Sequence, residues 1–143
     1  MPRSVHLSTH LVVVPLEDRA GEMARVTRCL TRAGIDLEGF CVGDSGARFL
    51  LHDLPRAASA LEAGGFRPRF AEVAALHIDH RPGELARLCE ELADAGVNIE
   101  QGFGLAVGGE GRIYISVDDL RRAGPVIAAR TDVIVVHQGL RRI

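Results

Sequence analysis

Two short stretches of the chain combine residue types that suit the binding of a small anion. They are Arg19, Ala20, Gly21 and Glu22 in the first half of the chain, and His80, Arg81, Pro82, Gly83 and Glu84 in the second half. Each stretch leads into a predicted helix, whose first N–H groups have no partner inside the helix and whose dipole attracts a carboxylate. The glycines allow a ligand to approach the backbone closely. The alternative is a tight turn that is capped by its own acidic residue.

A second pair of polar residues stands at the start of two predicted strands. Asp36 and Leu37 occupy this place in the first half of the chain, and Asn98 and Ile99 occupy it in the second. Asp36 can accept hydrogen bonds from an ammonium group, and Asn98 can both donate and accept them. The simpler interpretation is that each polar residue only caps the preceding helix or stabilises the following turn.

The composition excludes several classes of function. The net charge is -2, so no long-range field draws nucleic acid or an anionic membrane to the protein. All basic residues are arginine, which leaves no lysine for a Schiff base or a phosphate-binding loop. Five scattered phenylalanines and one tyrosine make a poor base-stacking surface. No apolar run approaches the roughly 18 residues that a membrane span requires.

The cysteines and histidines do not form the pattern of a metal or catalytic centre. Cys29, Cys41 and Cys89 are an odd number at wide spacings, which is typical of reduced thiols in the cytosol. His77 and Asp79 share a face of a predicted strand, whereas His80 belongs to the following turn, so no ligand geometry is implied. We therefore predict a cytoplasmic protein that is not an enzyme, with no metal, no cofactor and no catalytic residue.

The chain contains an internal repeat. Residues 18–38 (DRAGEMARVTRCLTRAGIDLE) align without gaps with residues 80–100 (HRPGELARLCEELADAGVNIE). Each copy has apolar residues at the spacing of a helix with one core face. These are Met23, Val26, Leu30 and Ala33 in the first copy, and Leu85, Leu88, Leu92 and Ala95 in the second. Gly34 and Gly96 follow at the place where such helices usually end.

Strands and a second helix complete each copy. The predicted strands cover residues 11–16, 35–42, 48–52 and 67–72 in the first copy, and 73–78, 97–107, 112–117 and 132–137 in the second. Asp53 is expected to cap the second helix of the first copy, and Asp118 or Asp119 that of the second. Pro125, after Gly124, is expected to interrupt this last helix and to shorten or kink it.

The order of elements in each copy is therefore βαββαβ, which predicts an α+β fold. A four-stranded antiparallel sheet with both helices on one face is expected, because the helices need one shared apolar surface. We predict two domains, residues 1–72 and 73–143. The boundary is too short for a flexible linker, so the two modules should pack side by side.

The repeated segment resembles the ACT domain family, and the tandem arrangement is similar to small stand-alone double-ACT proteins. The resemblance covers nearly the whole chain and rests on a D-R-P-G turn, a helix and a G-[IV]-N-[IL] step, found twice. Each copy departs from this pattern. Ala20 replaces the usual proline and Asp36 the usual asparagine in the first copy, and His80 replaces the usual aspartate in the second.

The resemblance implies a regulatory protein that binds a free amino acid or a similar small zwitterion between ACT modules. One wall of the site would be the turn before the first helix, with Arg19 to Glu22 or Arg81 to Glu84. The other wall would be the start of strand two of a neighbouring module, at Asp36 and Leu37 or at Asn98 and Ile99. A homodimer and a target enzyme or regulator are the expected partners. A module that binds proteins without any ligand is the alternative, and an enzyme on this scaffold is a third hypothesis.

Overall fold

The computed structural model describes residues 8–129. In chain order, its elements are β1 (Ser8–Val14), α1 (Glu22–Arg32), β2 (Leu37–Gly43), β3 (Gly46–Leu51), α2 (Leu54–Ala63), β4 (Arg69–Asp79), α3 (Glu84–Asp94), β5 (Ile99–Val107), β6 (Glu110–Val117) and α4 (Leu120–Ala128). The chain divides into two compact units. We call residues 10–71 the first module and residues 72–129 the second module.

The first module is an antiparallel sheet with α1 and α2 on one face. β3 lies between β1 and β2, and Phe49 of β3 pairs with Val12 on one side and Phe40 on the other. Side chains of directly paired residues lie on the same face of a sheet. The buried core on this face consists of Val12, Val14, Val26, Leu30, Ala47, Phe49, Leu51, Leu54, Ala57, Leu61 and Phe66.

The second module repeats this arrangement. β6 lies between β4 and β5, and Ile115 of β6 pairs with Ala74 on one side and Gly102 on the other. Its buried core consists of Ala74, Leu76, Ile78, Leu88, Leu92, Val97, Ile113, Ile115, Ala123 and Ile127. The predicted α+β fold with a repeated strand and helix order is thus confirmed.

The ends of the helices follow signals that are visible in the sequence. Gly34 after α1 and Gly96 after α3 have positive φ angles of 69° and 74°, which glycine adopts without strain. The N–H of the next residue donates to the carbonyl five positions earlier, at 3.0 Å in α1 and 2.9 Å in α3. The N-terminal ends of α2 and α4 are capped by aspartates. Asp53 and Asp119 accept hydrogen bonds from backbone N–H groups at the start of these two helices.

One strand differs from its prediction. The last strand of the first copy and the first strand of the second copy form the single strand β4, because residues 69–79 contain no glycine or proline that would turn the chain. The strand predicted at residues 132–137 lies outside the described residues. No helix within residues 8–129 is long and apolar enough to span a membrane.

The interruption expected in the last helix is also absent from the described chain. α4 continues through Pro125 to Ala128, although the proline has no N–H to donate within the helix. Ala123 and Ile127 on either side of Pro125 are buried in the core. Packing of this face therefore outweighs the local preference of proline.

Candidate ligand-binding site

The two turns singled out in the sequence place a left-handed glycine at the start of a helix. Gly21 precedes α1 with φ 96°, and Gly83 precedes α3 with φ 92°. Among the described residues, no side chain caps either helix start, whereas α2 and α4 are both capped by an aspartate. The N–H of Glu22 donates to the carbonyl of Arg19 at 3.4 Å, and the N–H of Glu84 donates to the carbonyl of Arg81 at 3.3 Å. The other N–H groups of the first helical turn and the positive end of the helix dipole suit an anion. The predicted helix starts are confirmed, and Pro82 lies before Gly83, outside the helix.

Each turn is held by a buried glutamate between two arginines. In the first module, Arg19 donates to Glu22 Oε1 at 3.2 Å and Arg25 donates to Glu22 Oε2 at 3.3 Å. Glu22 is only 6% exposed, so its carboxylate needs these partners. The hydrogen bonds from Arg25 lower the pKa of the Glu22 carboxyl below its ordinary value, burial opposes this effect, and Arg19 adds to the lowering.

The second module repeats this cluster. Arg81 donates to Glu84 Oε1 at 3.0 Å, and Arg87 donates to Glu84 Oε2 at 3.1 Å. Arg81 also lies 3.1 Å from a carboxylate oxygen of Asp79. The glutamates at the helix starts therefore turn toward their arginines and do not cap the helix with their side chains.

A cavity lies beside the turn of the first module. It has a volume of about 240 Å³ and is lined mostly by the turn itself, including Arg19, Ala20, Gly21 and Glu22. Of the described residues, neither Asp36 nor Leu37 lines it. Leu37 packs against the core of the module, and Asp36 is exposed.

A larger cavity of about 440 Å³ lies beside the turn of the second module. His80, Arg81 and Ile99 from the predicted site line it, together with Leu85 and Cys89 of α3. The remaining lining is residues of β4, β5 and β6 that are mostly apolar or glycine. Of the described residues, Pro82, Gly83 and Glu84 do not line it. The structure thus brings His80 and Arg81 together with Ile99 of the module's own strand β5.

Asn98, the other predicted residue at this strand, is already engaged through its backbone. Its N–H donates to Asp118 Oδ1 at 2.8 Å, and its carbonyl accepts from the N–H of Asp118 at 3.1 Å. Asp118 therefore joins two segments, and Asp119 is the residue that caps α4. Only the exposed side chain of Asn98 remains for a ligand.

Several residues of the site were not predicted. Arg25 contacts Glu22, and Arg87 makes the equivalent contact with Glu84. The two arginines occupy the same position in the repeat, which was the sequence signal for this contact. Leu85 was expected in the core, yet it is 54% exposed and lines the cavity. Gly102 and Gly104 alternate along β5, and glycine inside a strand often marks the close approach of a ligand.

Among residues 8–129, His80 is the histidine that lines either cavity, and it is exposed. His77 is half-buried, and its Nδ1 lies 3.6 Å from a carboxylate oxygen of Glu110. Among residues 8–129, no cluster of three or more histidine, cysteine, aspartate or glutamate residues is arranged to hold a metal ion.

The fold is shared with solved structures. No protein-family model and no curated protein sequence matches the chain. Protein BT0572 from Bacteroides thetaiotaomicron is similar with a TM-score of 0.83 and 22% identity, over 90% of this chain and 93% of that protein. The regulatory subunits of aspartate kinase from Thermus thermophilus and Thermus flavus have TM-scores of 0.60 and 0.55, each at 18% identity. These alignments cover 86% and 85% of this chain and 91% and 95% of the subunits. The chain therefore has the fold of tandem ACT-type modules of the α+β class.

Proposed function

We propose that this chain is a regulatory protein that binds a free amino acid, or a similar small zwitterion, beside the start of an α-helix. The observation that carries the proposal is the contrast among the four described helices. α2 and α4 are capped by Asp53 and Asp119, whereas α1 and α3 begin at Gly21 and Gly83 without a side-chain cap. A chain that caps two helices and leaves two equivalent starts open retains donors for a carboxylate.

The charges around the turn suit a zwitterion better than a polyanion. Each turn carries an arginine, but Arg81 is neighboured by the carboxylates of Asp79 and Glu84, and Arg19 by those of Glu17 and Glu22. The arginines therefore bring little net positive charge. Backbone donors would hold the carboxylate of the ligand, and the carboxylates of the turn would attract its ammonium group.

Regulation is proposed because of the fold. Two proteins that share it are described as regulatory subunits of aspartate kinase. We assign this chain a non-catalytic role in the cytoplasm, in which amino-acid binding changes its association with a target enzyme or regulator. In this proposal the chain forms a homodimer, in which a module of a second copy covers the open side of the binding cavity.

Thermal unfolding in the presence of each common amino acid tests the proposal, followed by calorimetric titration of those that stabilise the protein. An amino acid at about 100 times its dissociation constant adds roughly 2.7 kcal/mol to the free energy of unfolding. Stabilisation by one or a few amino acids supports the proposal. If all of them leave the unfolding curve unchanged at millimolar concentration, a protein-interaction module without a ligand becomes the better account.

A further inference from the structure

Beyond Ile99, which packs against the core, the helix-facing side of β5 carries no large side chain. Gly102 pairs with Ile115 and Gly104 with Ile113, and both isoleucines belong to the core beneath the helices. Because paired residues lie on one face, Gly102 and Gly104 face the helices as well. Ala106, two positions further along the same face, has only a methyl group. An edge strand that faces its helices with two glycines and an alanine leaves a channel beside α3.

The first module has large apolar residues at the equivalent places. Phe40 and Val42 align in the repeat with Gly102 and Gly104. They pair with Phe49 and Ala47, which are core residues, so they also lie on the helix-facing side. The chain therefore places a phenylalanine and a valine on this side of one module and no side chain at the same two positions of the other.

The cavity of the module with glycines at these positions has the larger volume, as the absence of side chains predicts. The cavity of the second module measures about 440 Å³, within the range of about 300–1,000 Å³ that is typical of ligand pockets. That of the first module measures about 240 Å³ and falls below this range. Val42 itself lines the smaller cavity. Phe40 is 60% exposed and does not line the smaller cavity, so the replacement of Val42 by Gly104 is the difference that accounts for additional space in the second module.

The lining of the larger cavity indicates what fills it. Its charged or strongly polar residues are three consecutive ones, Asp79, His80 and Arg81, which precede the uncapped start of α3. The rest of the lining is mostly apolar or glycine and includes Leu85, whose exposed side chain loses contact with water when the cavity is filled. A molecule with one charged end and one apolar end matches this division.

We infer that the second module, and not the first, contains the ligand site, and that the ligand is an amino acid with an apolar side chain. This inference rests on the proposed function. The amino and carboxylate groups lie at Asp79, His80 and Arg81, beside the start of α3, and the side chain lies along Gly102 and Gly104. An aliphatic, thioether or aromatic side chain occupies the space that Phe40 and Val42 occupy in the first module.

Filling the cavity tests this placement. Ala106→Leu adds a branched apolar side chain on the helix-facing side of the edge strand, next to the two glycines. In calorimetric titrations with leucine, methionine and phenylalanine, it should weaken binding by about tenfold or more. Phe40→Gln is the matched control, since it changes the equivalent face of the first module, and it should leave binding unchanged. Equal affinity of Ala106→Leu and the unmodified protein would overturn the inference.

A second measurement uses the unmodified protein and does not depend on the folding of a variant. Cys89 lines the cavity, while Cys29 and Cys41 belong to the first module and serve as internal references. Iodoacetamide labelling, mapped by mass spectrometry, should slow about tenfold or more at Cys89 when an apolar amino acid is present at about 100 times its dissociation constant. Labelling of Cys29 and Cys41 should not change.

The outcomes separate this inference from the function on which it rests. Binding of serine or aspartate with unchanged labelling of Cys89 supports an amino-acid sensor but overturns the apolar site of the second module. Protection of Cys29 or Cys41 in place of Cys89 has the same consequence. Failure of every amino acid to bind overturns both.

Discussion

Replacing Gly83 by alanine separates the conformational role of this glycine from any steric effect. Gly83 has φ 92°, and among the described residues no atom lies within 4 Å of a Cβ built there. The cost of Gly83→Ala therefore comes from the backbone, since a side chain in the left-handed region costs about 1–2 kcal/mol. Alanine also restricts the unfolded chain, which offsets about 0.4–1 kcal/mol. We expect a net loss of about 1 kcal/mol in the free energy of unfolding.

The turn after α2 provides a matched control. Gly65 has φ 88° and the same open surroundings within the described chain, but it lies far along the sequence from either uncapped helix start. Urea unfolding followed by circular dichroism should show the same loss of about 1 kcal/mol for Gly65→Ala, with an unchanged dependence on urea concentration. In calorimetric titrations, only Gly83→Ala should weaken amino-acid binding. An alanine at residue 83 shifts the backbone away from its left-handed conformation, and this shift moves the N–H donors at the start of α3.

Two results would refute this reasoning. If Gly83→Ala unfolds at the same urea concentration as the unmodified protein, the left-handed turn is not required by the fold. If both variants weaken amino-acid binding equally, the loss follows from general destabilisation and the start of α3 is not the binding site.

Three further predictions concern stability. Leu88→Ala should cost about 2–5 kcal/mol in urea unfolding, because Leu88 is fully buried, whereas Leu85→Ala should change stability by less than about 0.5 kcal/mol. Asp119→Ala should cost about 0.5–2 kcal/mol by removing the cap of α4, and restored stability in Asp119→Ser would confirm the capping role. Because hydrogen bonds from Arg25 lower the pKa of Glu22, the ionised carboxylate stabilises the folded chain above its ordinary pKa of 4.5, and this contribution is lost as the pH falls through the lowered pKa. Glu22→Gln should therefore flatten the decline of unfolding free energy below about pH 4.5, and an unchanged slope would contradict the ion pair.

Local signals were sufficient to predict most of the fold. Gly34 and Gly96 end their helices because a left-handed residue after the last turn suits glycine, and this preference is set within a few residues. Asp53 caps α2 for an equally local reason. The continuity of β4 was not predicted, although residues 69–79 contain no glycine or proline, because the repeat suggested a boundary at residue 72 where the backbone continues as a strand.

The candidate site was less predictable because its cavity depends on contacts between distant elements. The apolar spacing of α3 places Leu85 on the same helix face as Leu88, so the sequence predicts both in the core. Leu85 is exposed because the opposing strand carries Gly102 and Gly104, and only the pairing of β5 with β6 shows that these glycines face the helices. The contact of Arg87 with Glu84, in contrast, is a local pair three residues apart within α3.

Backbone amide NMR during titration with an apolar amino acid is the most direct test of the account. The largest chemical-shift changes are expected at the N–H groups of Gly83, Glu84 and Leu85, with smaller changes along residues 102–106 of β5. The capped start of α4, at residues 120–122, should remain unchanged. Shift changes centred on α4, or binding that leaves residues 83–85 unperturbed, would contradict the claim that the uncapped start of a helix receives the ligand.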